Sequence, residues 1–272
     1  LEGMVLVENG RILAMAIGSF LNENTFDVHF EKAREDVDGA YTAINQAFSQ
    51  YLRDKHLQIR YLDREEDMGI DVVSSGEMYT AIQAGYDLSR AYFHSNNKTD
   101  YDIEYAIEHG VGTFVVDNEE ELYAIERIAA RRDMQQSVLL RLTPGIDPHT
   151  YEAVATGKVD SKFGSAIETG QAEAITRIAL SLAHVRLSGF HCHVGSQVFD
   201  SDVFLRAAAI MLEFVARMKE KHGYITRELD LGGGYGVRYL ESDPEIDIAE
   251  NIREVGRAVR EQCDALGIDL PA

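Results

Sequence analysis

The chain has 272 residues, enough for one large domain or one and a fraction. Its 45% apolar and 26% charged residues suit a globular protein with a proper core. A net charge of −20, from 46 acidic and 26 basic side chains, argues against nucleic acid or an anionic membrane surface as a partner.

In chain order, Val5 to Val7, Glu8-Asn9-Gly10 and Arg11 to Ala14 predict a hairpin, because Asn-Gly supplies the positive φ angles of a tight turn. From Thr25 to Lys55, Phe26, Phe30, Val37, Tyr41, Ile44, Phe48 and Leu52 recur at helical spacing and predict a helix. Seven short strand-like runs follow: Leu57–Tyr61, Ile70–Ser74, Ala91–His94, Thr113–Val116, Val138–Leu142, Val185–Val194 and Leu229–Leu231. Amphipathic stretches such as Glu77–Ala84, Asp100–Glu108, Glu119–Arg132 and Val203–Lys221 separate most of them, and Ala249–Leu266 reads as another helix. Strands alternating with helices predict a parallel sheet, and seven in series predict an α/β fold, a (β/α)8 barrel lacking its last strand. A doubly wound open sheet is the alternative that periodicity leaves open.

Polar and glycine-rich clusters stand just after several of these strands. In a parallel barrel every strand's C-terminal end faces one mouth, where active sites are built. His191-Cys192-His193-Val194-Gly195-Ser196-Gln197 is the sharpest. Strand alternation puts His191 and His193 on one face and Phe190 and Cys192 on the other. An imidazole there suits stacking, acid–base work or metal ligation, although a histidine pair on a strand is commonly structural, and no further metal ligands stand at suitable spacing. Leu229-Asp230-Leu231-Gly232-Gly233-Gly234-Tyr235-Gly236 ends a strand in a glycine run whose N–H groups suit an anion, or a tight turn. It is not the dinucleotide fingerprint, since Val237 stands where the third glycine belongs. Asp71 to Glu77 reads equally as a strand running into a helix capped by Ser74 and Glu77.

Two cysteines, Cys192 and Cys263, fit a reducing compartment rather than a disulfide scaffold. With no apolar run of about 18 residues and no signal-like start, the expected location is cytoplasmic, with no membrane partner.

Together and in order, DVVSSGE (Asp71–Glu77), HSNNK (His94–Lys98), RLTPGIDPHT (Arg141–Thr150), TGKVDSKFG (Thr156–Gly164), HCHVGSQ (His191–Gln197) and LDLGGGYG (Leu229–Gly236) resemble the diaminopimelate decarboxylase family of fold-type III pyridoxal-phosphate enzymes. The likeness runs from about Phe20 to the end of the chain. It implies an alanine-racemase-like barrel followed by a β domain, working as a homodimer with shared active sites. The implied activity is decarboxylation of a small amino-acid substrate, meso-diaminopimelate, to L-lysine, with pyridoxal 5'-phosphate as cofactor. It implies that His193 stacks on the pyridine ring. It further implies that Ser196 and the N–H groups of Gly233 and Gly234, with Gly232 shaping the turn, hold the phosphate. Asp71, Glu77 and Arg141 would line the pocket. Residues 1–30 would pack with the β domain and residues 31–272 would form the barrel.

The family's Schiff-base lysine, in a Tyr-Ala-x-Lys-Ala-Asn run, has no counterpart here. Tyr61 matches, but Arg64 occupies the lysine's offset, and a guanidinium stays protonated. Only eight residues, Leu62 to Gly69, separate Tyr61 from the next strand, where a parallel crossover needs about a dozen. Both observations place a further segment between Tyr61 and Leu62. Two other readings stay open: a sister decarboxylase for another basic or D-amino acid, and a catalytically dead barrel that binds a partner protein.

Overall fold

The computed structural model describes residues 2–8, 10–20, 25–34, 40–56, 61–63, 70–147, 163–238, 244 and 246–272. The chain divides into two compact units, Leu1–Ile70 with Gln83–Tyr86, and Asp71–Ile82 with Asp87–Ala272.

In the first unit, β1 (Glu2–Glu8) and β2 (Arg11–Phe20) form the expected antiparallel hairpin, and Gly10 takes a φ of +75° at its turn. The helix expected from Thr25 is corrected at its start. Thr25–Ala33 is a strand, β3, paired antiparallel with β2, and α1 spans only Ala40–Lys55. Phe26 and Phe30 fit helical spacing, but Phe26, Val28 and Phe30 also alternate, and a β-rich composition with an open neighbouring edge decides for the strand. Ile44, Phe48 and Leu52, one helical turn apart, form a buried cluster with Ala14 and Ala16 of the hairpin. Glu2 accepts hydrogen bonds from Tyr51 Oη at 2.9 Å and Lys55 Nζ at 2.7 Å, tying the helix end to β1. A short β4 (Tyr61–Asp63) pairs parallel with β3, Tyr61 opposite Thr25. Residues 57–60 of the expected first barrel strand, Arg64, and parts of the Arg141–Thr150 and Thr156–Gly164 motifs lie outside the described residues.

From there the chain alternates: β5 (Ile70–Val72), α2 (Ser75–Gln83), β6 (Ala91–Phe93), α3 (Asp100–Glu108), β7 (Thr113–Val116), α4 (Glu119–Arg131) and β8 (Gln136–Thr143). It continues through β9 (Ser165–Ala166), α5 (Gln171–Ser181), β10 (Val185–His191), α6 (Ser201–His222), β11 (Glu228–Asp230) and α7 (Ile248–Leu266). The strand order is β11-β10-β8-β7-β6-β5, with β9 paired to β8. From β6 to β11 every pairing along this path is parallel. Helix starts follow local chemistry: Thr99 and Asp102 close a capping box on α3, Asn118 caps α4, and Asp200 caps α6. β7 is buried along its whole length, as parallel strands covered on both faces are.

The sheet is curled. Tyr92 Oη on β6 donates a hydrogen bond to Glu228 on β11, although β7, β8 and β10 lie between those strands. Sheet neighbours are about 4.8 Å apart, so a flat sheet would hold β6 and β11 roughly 19 Å apart. Contact between their side chains requires the concave wall of a barrel, and this settles the choice against a flat open sheet. On the convex side, Phe190 of β10 packs edge-on against Phe214 of α6 with ring centres 5.1 Å apart.

At one point the wall has no room for a side chain. A Cβ on Gly189 of β10 would stand 1.7 Å from the Glu228 carbonyl oxygen of β11. Gly189→Ala should therefore destabilise the full-length protein by about 1–3 kcal/mol, the usual cost of overpacking. Denaturant unfolding measures it, and an unchanged midpoint would show that these strands separate freely.

Candidate active site

The C-terminal ends of the parallel strands carry the polar groups. Asp71 lies in β5, His94 follows β6, Arg141 lies in β8, His191 closes β10 with His193 two residues on, and Asp230 closes β11 ahead of Gly232 and Gly233. These eight residues line one cavity of about 300 Å³, at the small end of ligand-pocket sizes. Strand alternation explains the histidines: Phe190 and Cys192 are fully buried on the helix side, which leaves His191 and His193 for the cavity.

The glycine run is shaped by how closely it approaches the β10 loop. Gly232, at φ +69°, would carry a Cβ 2.5 Å from Cys192 O and 3.0 Å from His193 Nδ1. Gly234, at φ +99°, would carry one 1.8 Å from Gly195 O and 3.3 Å from His193 Cε1. Positive φ and contact together exclude any other residue, and the His193 ring is framed by the turn. Gly233 between them faces open space. The two loops are stitched by Val198 N–H to Gly234 O at 2.9 Å and Gly236 N–H to Val198 O at 2.8 Å. Asp230 Oδ1 accepts from Gly232 N–H at 2.8 Å.

His94 and His191 meet edge to face, ring centres 5.0 Å apart. His94 Nε2 lies 3.2 Å from Asp71 Oδ1 but off the line of a hydrogen bond, and His191 Nε2 lies 4.0 Å from Asp230 Oδ2. His191 Nδ1 is buried with no hydrogen-bond partner among the described residues. Burial, then His94 and Arg141, hold His191 well below the ordinary histidine range; burial, then Arg141 and His94, lower His193. Both rings are therefore neutral near pH 7. Burial raises the Asp230 carboxyl and, with Asp230 beside it, pushes the Cys192 thiol up to about 12. Cys192 is thus a thiol, its Sγ 3.8 Å from Leu231 O.

Arg141 supplies the cavity's fixed positive charge. Its guanidinium lies 4.4 Å over the Phe163 ring, and its Nε stands 4.0 Å from Asp117 Oδ1. That carboxylate also accepts from Gly164 N–H at 3.1 Å.

Of the site residues expected from sequence, Asp71, Arg141, His193, Gly232 and Gly233 line the cavity. Gly234 and Ser196 belong to the two loops that meet around His193 but are not among the lining residues. Glu77 is not among them either. Its Oε2 accepts from Val73 N–H at 2.6 Å while Ser74 Oγ accepts from Glu77 N–H at 3.2 Å, so it serves the start of α2. The cavity also takes in His94, His191 and Asp230, to which the family resemblance assigns no role. His191 shares a strand face with His193, which was the available signal; His94 and Asp230 were visible only as members of the HSNNK and LDLGGGYG runs.

Residues 27–270 match the family model described as pyridoxal-dependent decarboxylase, pyridoxal binding domain. Among curated proteins, the chain is 41% identical over 210 residues to the diaminopimelate decarboxylase of Bacillus methanolicus, covering 77% of this chain and 49% of that protein. It is 36% identical over 253 residues to that of Halalkalibacterium halodurans, covering 93% and 56%. Among solved structures, diaminopimelate decarboxylase from M. jannaschii in complex with L-lysine superposes with a TM-score of 0.67 at 28% identity, covering 84% of this chain and 49% of that one. The Helicobacter pylori enzyme complexed with L-lysine gives 0.66 at 29% identity, with 75% and 49% covered. The chain spans about half the length of the curated relatives it matches. With its curled parallel wall and one polar cavity at the strand ends, the chain belongs to the pyridoxal-dependent decarboxylase family and carries its pyridoxal-binding domain.

Proposed function

We propose that the full-length protein removes the α-carboxylate of meso-diaminopimelate to give L-lysine, using pyridoxal 5'-phosphate held in this cavity. The observation that carries the reading is convergence: side chains from β5, β6, β8, β10 and β11, far apart in sequence, line a single pocket. The relatives at 41% and 36% identity are diaminopimelate decarboxylases, and two similar structures hold L-lysine.

The residues present fit the cofactor. Among the described residues, buried ring nitrogens on His94 and His191 lack hydrogen-bond partners, which is costly in an empty pocket and favours a polar occupant. Gly233 faces open space between two glycines that admit close backbone approach. In this reading His193 stacks on the pyridine ring, and its neutrality keeps that contact free of charge repulsion with Arg141. Ser196 and the N–H groups of Gly233 and Gly234 take the phosphate, with Gly232 shaping the turn. Arg141 and Asp71 orient the reacting end, and Glu77 supports the Asp71 segment through its bond to Val73. Bound pyridoxal phosphate supplies an electron sink for the pair released with carbon dioxide. The chain's own residues fix that ring's plane and hold it out of water.

The same proposal includes a lysine-bearing segment between Tyr61 and Leu62, a β domain packed with residues 1–30 of the chain, residues 31–272 as barrel, a homodimer, and a cytoplasmic location. Among the described residues no helix is long and apolar enough to cross a membrane. A peptide map of the purified protein reads the Tyr61–Leu62 junction directly. A continuous junction, with no visible absorbance band on adding pyridoxal phosphate, would favour a catalytically dead barrel, which Arg64 at the lysine's offset otherwise suggests.

Carbon dioxide release should be fastest from meso-diaminopimelate; a preference for ornithine, arginine or D-lysine rejects the substrate. His193→Ala should weaken cofactor binding and turnover together, and unchanged values in both would remove it from the site. Ser196→Ala should weaken cofactor retention by roughly 1–2 kcal/mol, the scale of a hydrogen bond to a charged group. Equilibrium dialysis against pyridoxal phosphate decides between that and a purely structural serine.

A further inference from the structure

Behind Arg141 lies an ion pair that the proposed reaction does not use. Lys98 Nζ and Glu121 Oε1 are 2.8 Å apart, with side chains 0% and 4% exposed. All three protons of the Lys98 ammonium are committed, to Ser95 O, Val115 O and Glu121, each at 2.8 Å. The lysine thus clamps the loop after β6, the end of β7 and the first turn of α4. The second oxygen of Glu121 accepts the Asp117 backbone N–H at 3.0 Å, and its own N–H donates to the cap Asn118 at 2.9 Å. Asp117 in turn faces Arg141 Nε at 4.0 Å and takes the Gly164 N–H. The chain of contacts runs Lys98, Glu121, Asp117, Arg141, and ends at the cavity.

Burying two charges costs about as much desolvation energy as their attraction returns, so such a pair is a weak device for stability and a strong one for geometry. Here burial pushes Lys98 down and Glu121 up, each toward its neutral form, and each is opposed chiefly by the charge of the other. The Asp117 turn is consequently held by bonds with fixed direction rather than by packing alone. Among the described residues, Arg141 is held by the Asp117 carboxylate and the face of Phe163.

We propose that Lys98 and Glu121 are positioning residues, which fix the Asp117 turn and through it hold Arg141 at the cavity wall, setting the cavity's affinity for an anionic occupant without touching it. The inference deepens the pyridoxal-phosphate reading and rests on it for the identity of the occupant.

The test is a mutant cycle in the full-length protein, with pyridoxal phosphate affinity measured by equilibrium dialysis and thermal unfolding followed in parallel. Lys98→Met with Glu121→Met removes both charges together, which avoids stranding one of them. Glu121→Gln is the milder variant, keeping an acceptor for the Asp117 N–H, should the double replacement not fold. Either should weaken binding, the double replacement by about tenfold, the scale of one charge-assisted hydrogen bond. In an Arg141→Met background that loss should vanish, whereas in a His193→Ala background it should persist in full. A merely structural pair would give the same loss in both backgrounds, and that result, or no loss at all, overturns the proposal. The Arg141 Nε–H resonance, assigned by its disappearance in Arg141→Met, gives a second readout with no cofactor present. It should shift or broaden in the variants, and an unmoved resonance overturns the proposal. Absence of pyridoxal phosphate binding to the unmodified protein would instead sink the cofactor reading alone.

Discussion

Three backbone contacts between β10, β11 and the loops that follow them leave no space for a side chain, and the geometry of the site depends on them. The added Cβ of Gly189 would reach Glu228 O, that of Gly232 would reach Cys192 O, and that of Gly234 would reach Gly195 O. The first contact fixes the register of the two strands, since Gly189 stands opposite Glu228 and His191 opposite Asp230. The other two fold the glycine turn over the His193 ring. A wider seam would separate the imidazole from the N–H groups beside it, and one cavity would become two unrelated loops.

The interior of the curled wall is polar in layers. Deepest in the strands, Tyr92 and Glu228 bridge β6 and β11, while Ser137 and Ser188 share a 2.6 Å hydrogen bond between β8 and β10. Above them His94, His191, Asp71 and Asp230 face one another at the cavity. Burial drives both His191 and His193 neutral, so the fixed positive charge at this level is left to Arg141. An anion entering the cavity meets one fixed cation, Arg141, and the neutral rings of His191 and His193, with the carboxyl groups of Asp71 and Asp230 on the same wall.

Local signals in the sequence carried much of this fold. Helix α3 occupies the amphipathic stretch expected for it, Asp100–Glu108, and the structure adds the Thr99–Asp102 capping box that fixes its start. The hairpin was equally plain from Asn9-Gly10. Two elements escaped for physical reasons. β3 contains Phe26 and Phe30, whose spacing satisfies both helical and strand periods, and pairing with β2 decided between them. α5 buries small residues, Ala172, Thr176 and Ala179 with Ile175, so its apolar stripe is faint. At the site, His193 and the glycines stood out because they cluster along the chain. Burial of Lys98 against Glu121 is a tertiary fact between residues on different elements, and two charged residues in a sequence read as solvated surface.

The thiol of Cys192, flanked in sequence by two cavity histidines, is fully enclosed on the helix side of β10 and held protonated. Nucleophilic sulfur chemistry needs both access and thiolate, and this residue has neither. Reaction of this sulfur with an alkylating reagent therefore requires the wall at β10 to open. Labelling of Cys192 thus reports opening of the wall at β10 rather than events in the folded cavity.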